Sequence, residues 1–405
     1  MRKNVTERRL NFHALKKFFI FPALLCPVIA PNVGHAVVHS APVIIPAFKI
    51  RGSNLYSISK YGLYATSPSG EAFPVPFQID EINKMGDFVL DQGPSPNIAT
   101  GNGIFDMYDE LAFMGNDIGP SKPPEKWPFK KPDILYEIKF ANHSNPGIEG
   151  GSVFLGVHLT SEPTKTNYKY VVFDKEKGNV TTSRYYYEFD TQNYLMTKKV
   201  DMISPKKDKE REVRTPIIDS SVFYLRADLK YFLTVRANHR SVNSQLDAYK
   251  SGPVRTIVRV NFYYVVLKLN FRAGMYTEVS FFSNSVILPA VIDNPINPKT
   301  TLNDGSGFYY GFVFRDNPLE SDFTTNMKLY PPKMDLFEMF MASSTQPDRS
   351  RFWLCMMDKS KMIYLELKLS KKMYDGKNYP FLYTQNLGGA ALPRYSDQNS
   401  DLAGL

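Results

Sequence analysis

Val254-Arg255-Thr256-Ile257-Val258-Arg259-Val260 is the stretch on which the fold turns. Side chains along a strand alternate with period two, so Val254, Thr256, Val258 and Val260 share one face. Arg255, Ile257 and Arg259 share the other. Such a strand belongs to an antiparallel sheet with one face packed and one face reachable by solvent or ligand. Ser251-Gly252-Pro253 precedes it as a turn, and the Tyr-rich run Phe262–Phe271 follows it as a further strand.

Working outward, the same signature recurs. Runs of β-branched and aromatic residues bounded by Gly, Pro, Asn and Asp occur at Val43–Ile50, Phe73–Ile79, Ile134–Phe140, Val153–Leu159, Tyr168–Phe173, Tyr185–Phe189 and Tyr231–Val235. Tyr276–Phe282, Phe308–Phe314, Phe352–Met357 and Met362–Leu367 continue the series. Helical periodicity is scarce, and Met334–Ala342 is the best helix candidate. Aromatic residues make up 14% of the chain, with 25 Tyr and 29 Phe, and these residue types favour a pleated half-buried surface. The expected fold is therefore all-β: a large antiparallel β-sandwich with a small N-terminal β module.

Three stretches read as connections. Asp117–Asp133 carries five prolines, Ser204–Pro216 is a charged run closed by prolines, and Pro289–Pro298 holds three more. A boundary in the first gives a module over residues 37–130, a sandwich over 131–393 and a polar tail over 394–405.

The first 36 residues read as an export signal. Six basic residues lead into the apolar run Phe18–Ile29, and Gly34-His35-Ala36 is spaced like a peptidase site. The run is too short and too broken by Pro22 and Pro27 to span a bilayer. A mature chain starting near Val37, in the periplasm or outside the cell and without a transmembrane anchor, is the expectation. Large Leu25 before Cys26 speaks against a lipid attachment site. Cleavage would leave 43 basic and 39 acidic residues, a net charge of +4. That is no nucleic-acid footprint. Cys355 would then stand alone in an apolar run, the setting of an inert buried thiol.

The densest polar segment is Pro74–Gly119, with eight acidic residues against Lys84 as its one base. Asp106, Asp109, Glu110 and Asp117 are its candidate calcium ligands, since Ca²⁺ takes six to eight oxygens. The spacing does not fit an EF-hand loop. The competing reading is turn chemistry, with Asp and Asn capping loops and Gln78 satisfying buried backbone.

Pro74-Val75-Pro76-Phe77-Gln78-Ile79-Asp80-Glu81, followed by Asp109-Glu110-Leu111-Ala112-Phe113-Met114, resembles the N-terminal region of exported bacterial β-sandwich proteins. Some of these are related to polysaccharide-lyase-type proteins with galactose-mutarotase-like folds. Ser251-Gly252-Pro253-Val254-Arg255 is similar to a turn-to-strand entry in the same large sandwiches. The resemblance covers about 60 residues, implies a mutarotase-like supersandwich and carries over no catalytic residue.

A lyase acting on acidic glycans would need a base, an acid and a cation. His239, Arg240 and Tyr264 are the residues that would supply them, with Arg236, Arg255 and Arg259 beside them as ligand-binding cations. The competing reading is a loop histidine among surface arginines, and arginines bonded to acids of neighbouring strands. His-Glu-x-x-His, Walker and Gly-x-Ser-x-Gly motifs are absent. Three functions follow: recognition of a glycan or cell-envelope component without turnover, a polysaccharide lyase or glycoside hydrolase, and a structural subunit of an envelope protein complex; the partner would be an acidic glycan or an envelope protein.

Overall fold

The computed structural model describes residues 41–50, 56–140, 150–204, 213–230, 233–238, 242–266, 269–290, 307–315, 351–358 and 361–368, plus a few shorter pieces. The protein is all-β. Among the described residues the helical elements are single 3-10 turns, such as Ala47–Lys49 and Gly115–Asp117. No described helix is long and apolar enough to cross a membrane. The helix candidate Met334–Ala342 lies outside the described residues.

Two large antiparallel sheets form the sandwich. One runs in the order Val242–Ser251, Arg255–Val266, Leu269–Phe282, Val286–Ala290, Phe19–Phe21, Lys361–Lys368, Arg351–Asp358 and Asp322–Thr325. A chain cut after Ala36 would lack the short Phe19–Phe21 strand. The other runs Val171–Asp174, Asn179–Thr182, Tyr185–Asp190, Asn193–Ser204, Val213–Leu229 and Leu233–Asn238, with Gly307–Phe314 also pairing Val213–Leu229. Alternation decides what lies between them. Tyr185, Tyr187 and Phe189 from one sheet meet Val258, Val260, Val279 and Phe281 from the other in a single core. Phe281 stands edge-on to Tyr187 at 4.9 Å and to Phe189 at 5.5 Å. Such pairs contribute about 0.5–1.5 kcal/mol beyond the area they bury.

The N-terminal module has two small sheets. Pro42–Pro46, Glu110–Met114 and Phe77–Asp80 form one; Ala72–Pro74, Tyr61–Thr66, Gly151–Val157, Gly119–Pro120 and Ile134–Lys139 form the other. Their core holds Tyr61, Leu63, Phe105, Leu111, Phe113, Val153 and Leu155. The sheet does not break at residue 130. Ile134–Lys139 and Gly151–Val157 pair with each other, and the latter with Tyr61–Thr66, so the pairing carries this module to Val157. The Pro-rich stretch is consequently no linker. It straps the module's own second sheet.

Two other expectations change. The run Phe262–Phe271 is the meeting of two strands, since Val266 pairs with Leu269 in an antiparallel register. Val213–Pro216 belongs to a seventeen-residue strand, in which Pro216 is accommodated where the register against Asp201 shifts. Val242–Ser251 (VNSQLDAYKS) alternates Val242, Ser244, Leu246 and Ala248 with Asn243, Gln245 and Asp247, and it is an edge strand held by Arg255–Val266.

Candidate functional site

Arg255, Ile257 and Arg259 do project from one face, as the period demands, but that face is covered. The loop over residues 81–97 lies across it, and Leu90 packs with Ile257, Ala248 and Phe88. Val258 and Val260 on the other side enter the sandwich core. The strand is buried on both faces.

The covering loop is tied down by backbone. Gln92 and Tyr249 exchange N–H···O bonds of 3.0 and 2.8 Å, and the Ser95 N–H donates to the Asp247 carbonyl at 2.8 Å. Gly93 makes this approach possible. It has φ +106°, and a Cβ there would lie 2.8 Å from the Ala248 Cα.

Arg255 is 2% exposed. Its Nε donates to Asp80 Oδ2 and its Nη2 to Glu110 Oε2, both at 2.7 Å. Its guanidinium also lies 4.9 Å from the centre of the Phe88 ring. Asp80 takes a further ion pair from Lys250 Nζ at 3.0 Å and two hydrogen bonds from Gln78 Nε2. Gln78 Oε1 accepts from the Val254 and Arg255 N–H groups at 3.1 and 2.8 Å. Gly252 leaves room for this, because a Cβ there would stand 2.1 Å from Gln78 Oε1. Burial alone would push the Asp80 carboxyl up, but Arg255, Lys250 and the Gln78 amide hold it at about 2. Burial would likewise lower Arg255, and its two carboxylates leave it raised.

Arg259 forms a second knot. Its Nε and Nη2 donate to Glu278 Oε1 at 3.0 and 2.6 Å, and Nη2 also donates to the Phe88 carbonyl. Burial raises the Glu278 carboxyl, partly offset by Arg259. The Tyr276 hydroxyl donates to Asp87 on the covering loop. A row of arginines open to a ligand is therefore not what this strand presents. Its cations are consumed by carboxylates of the N-terminal module and of the neighbouring strand.

The four calcium candidates are likewise divided among separate tasks. Asp109 is fully buried, its two oxygens accepting the Ile82 and Asp106 N–H groups at 2.8 Å. Burial pushes its carboxyl up to about 6. Asp106 accepts from the Tyr108 N–H and the Asn102 amide, Glu110 holds Arg255, and Asp117 accepts the Tyr170 hydroxyl at 2.7 Å. No group of three or more His, Cys, Asp or Glu side chains able to hold a metal lies among the described residues. The physical reason is loop geometry: each carboxylate is turned toward its own N–H, hydroxyl or guanidinium. Of the remaining catalytic and ligand-binding candidates, His239 and Arg240 lie outside the described residues. Arg236 and Tyr264 are placed by backbone alone, Arg236 opposite Arg226 and Tyr264 opposite Val242 and Phe271.

The described surface carries one basic aromatic patch that the sequence reading took for a linker. In the strap Ser121–Pro132, Lys122, Lys126, Lys130 and Lys131 are exposed, and Trp127 and Phe129 are half-buried. The strap is fastened at both ends. Thr66 Oγ1 donates to the Lys122 carbonyl at 2.6 Å, the Ala72 N–H donates to the Lys126 carbonyl at 2.8 Å, and the Asp133 N–H donates to the Val157 carbonyl at 2.9 Å. Lys122 pairs with Glu125, whereas Lys126, Lys130 and Lys131 have no ion-pair partner among the described residues. Trp127 and Phe129 close on Tyr64, with centroids 5.3 Å away in each case.

Beneath them Tyr64 and His158 share a hydrogen bond of 2.8 Å, and His158 Nδ1 meets Ser161 Oγ at 3.1 Å. Burial lowers the His158 pKa and raises Tyr64 to about 12, so both are neutral near pH 7. The Trp127 ring N–H is buried and donates to nothing among the described residues. This is a platform of rings with cations around it. The available signal was compositional: four lysines, one acid and two rings in twelve residues.

No protein-family model and no curated protein matches the sequence. Among solved structures, a protein in the glycosyl hydrolase family 38 from Enterococcus faecalis is similar with a TM-score of 0.30 and 7% identity, covering 91% of this chain and 42% of that one. An alpha-mannosidase from Enterococcus faecalis V583 gives 0.29 and 8%, covering 87% and 39%. The chain thus spans less than half the length of either protein. Likeness at that level establishes neither a shared topology nor a shared chemistry.

Proposed function

We propose that the protein recognises an anionic glycan or envelope component, without turning it over, on the strap Ser121–Pro132. The reading also places it outside the cytoplasm, where its N-terminal leader would direct it. One observation carries it. Lys126, Lys130 and Lys131 stand exposed, with no close ion pair among the described residues, beside the partly open rings of Trp127 and Phe129. Aromatic faces stack on sugar rings, ammonium groups attract uronate or sulfate, and a tied-down backbone limits the entropy lost on binding.

Isothermal titration with a uronate oligosaccharide and its neutral counterpart tests the reading. Preference for the charged sugar is expected, weakening with salt. Lys126→Glu combined with Lys130→Glu should cost at least about tenfold in affinity, and Trp127→Ala a similar factor. Equal binding by the variants, or release of unsaturated sugar seen by ultraviolet absorbance, would overturn it.

A further inference from the structure

We propose that protonation of His158 in mild acid releases the arc 127–131 of the strap from the N-terminal module. The arc is built to move. Its flanks are fixed, since the Ala72 N–H donates to the Lys126 carbonyl and the Asp133 N–H to the Val157 carbonyl. Between them, among the described residues, no backbone hydrogen bond ties 127–131 down. Side chains hold it instead: Phe129 stacks on Tyr64, Trp127 stands edge-on to both rings, and Lys130 Nζ donates to Thr160 Oγ1. Closure has a cost, because the Trp127 ring N–H is buried without a partner among the described residues, and opening would hydrate it.

Tyr64 is therefore the latch, and its seat is close-fitting. A Cβ at Gly62 would overlap its hydroxyl, and one at Gly156 would lie 2.9 Å from its ring and 2.5 Å from Pro132. The hydroxyl bonds His158 Nε2 at 2.8 Å, and both residues are fully buried. The Thr164 backbone N–H faces the same oxygen, so the hydroxyl gives its own hydrogen to the imidazole. That assigns the ring hydrogen of the neutral imidazole to Nδ1, which faces Ser161 Oγ at 3.1 Å.

Protonation breaks this arrangement. An imidazolium carries a hydrogen on both nitrogens, so Nε2–H would meet the Tyr64 O–H head-on. The Tyr64 hydrogen then loses its acceptor, and the described residues bring it no other. Neighbouring charges do not rescue the cation: Asp133 and Glu162 favour it, while Lys130 and Lys60 oppose it. Glu162 is already paired with Lys60 at 2.6 Å, and Asp133 accepts the Leu159 and Thr160 N–H groups. Burial outweighs them and holds the imidazole below its ordinary 6.5, whereas displacement of Tyr64 lets water reach it. The closed strap is thus fully favoured above pH 6.5 and loses that advantage as the pH falls through the lowered value.

Acrylamide quenching of Trp127 fluorescence in the full chain tests this, with Trp127→Phe giving the blank for Trp353, the chain's other tryptophan. Between about pH 7.5 and 4.5 the Trp127 quenching constant should rise about threefold, as for a local opening, while far-ultraviolet circular dichroism holds. His158→Gln, which donates and accepts but does not titrate, should stay closed across the range. Tyr64→Phe keeps the ring and removes the link, so its arc should ignore pH as well, and it serves where the His158 variant folds poorly. A flat parent curve overturns the proposal. So does a rise that persists in both variants, or one that coincides with loss of the β signal. No ligand enters the measurement, so it can fail while the glycan reading stands, and the reverse.

Discussion

Arg255 and Lys130 both sit among aromatic rings in Pro- and Gly-punctuated sequence, yet they have opposite fates. Arg255 lies under Phe88, with its guanidinium shared between Asp80 and Glu110 from the other module. Lys130 stands in solvent and, among the described residues, donates to Thr160 Oγ1 at 3.0 Å. Part of the difference lies in the backbone around them. A strand in mid-sheet can be roofed by a loop, and its cations must then find carboxylates, because a buried unpaired charge is untenable. A strap on the outside of a sheet has one face that nothing roofs. Cations beside aromatics thus mark a ligand site only where no second segment covers them.

The comparison breaks most sharply at Arg255. Arg255→Ala should cost about 3–5 kcal/mol in denaturant unfolding, because Asp80 and Glu110 would be left buried without their cation. The matching loss for Lys130→Ala or Lys131→Ala is within about 0.5 kcal/mol, as for any exposed residue. Equal costs would mean that Arg255 is not the buried partner of Asp80 and Glu110.

The pH dependence separates the two ways in which this module buries a carboxylate. Asp80 is depressed from 3.8 to about 2, so the stability it contributes is fully present above pH 3.8 and is lost as the pH falls through 2. Asp109 has N–H donors but no cation, and is raised from 3.8 to about 6. Its contribution is complete below pH 3.8 and is lost as the pH rises through 6. Each shift corresponds to about 2–3 kcal/mol. Asp80→Asn should flatten the acid limb of a stability–pH curve, and Asp109→Asn the limb between pH 4 and 7. A wild-type curve without a decline over that second range would contradict the account of Asp109.

A smaller effect sharpens the loop side. Gly93→Ala forces a side chain into a left-handed backbone against Ala248, at a cost of about 1–3 kcal/mol. The loss should appear as faster hydrogen exchange at Gln92 and Tyr249. A variant with unchanged exchange there would mean that the loop is not what closes the Arg255 face.

Strand content was legible because alternation and turn residues are local signals: Tyr185–Asp190 and Gly307–Phe314 were visible as β-branched and aromatic runs. Val242–Ser251 was not, since its alternation is diluted by Ser244 on the inner face and by Asn, Gln and Asp on the outer one, and its pairing with Arg255–Val266 is what holds it. The segments Phe77–Asp80, Glu110–Met114 and Ser251–Arg255 stood out in the sequence, and they do meet in space. What stayed hidden was their purpose, a buried joint between two modules.

By itself, then, the sequence determined that this chain is a β-protein with an acidic N-terminal segment and arginines aligned on one strand face. Those are consequences of period two and of residue chemistry, which act over a few residues. Only the tertiary structure decided that the arginine face is roofed by residues 81–97, that the Pro-rich stretch is a strap, and that the acidic residues answer separate donors. The first depends on contacts between residues some 145 to 177 positions apart, such as Arg255 with Glu110 and Gln78, and the others on medium-range ones such as Thr66 with Lys122 and Asp117 with Tyr170. No local pattern encodes them, because the energy of a buried charge depends on which partner the fold brings to it.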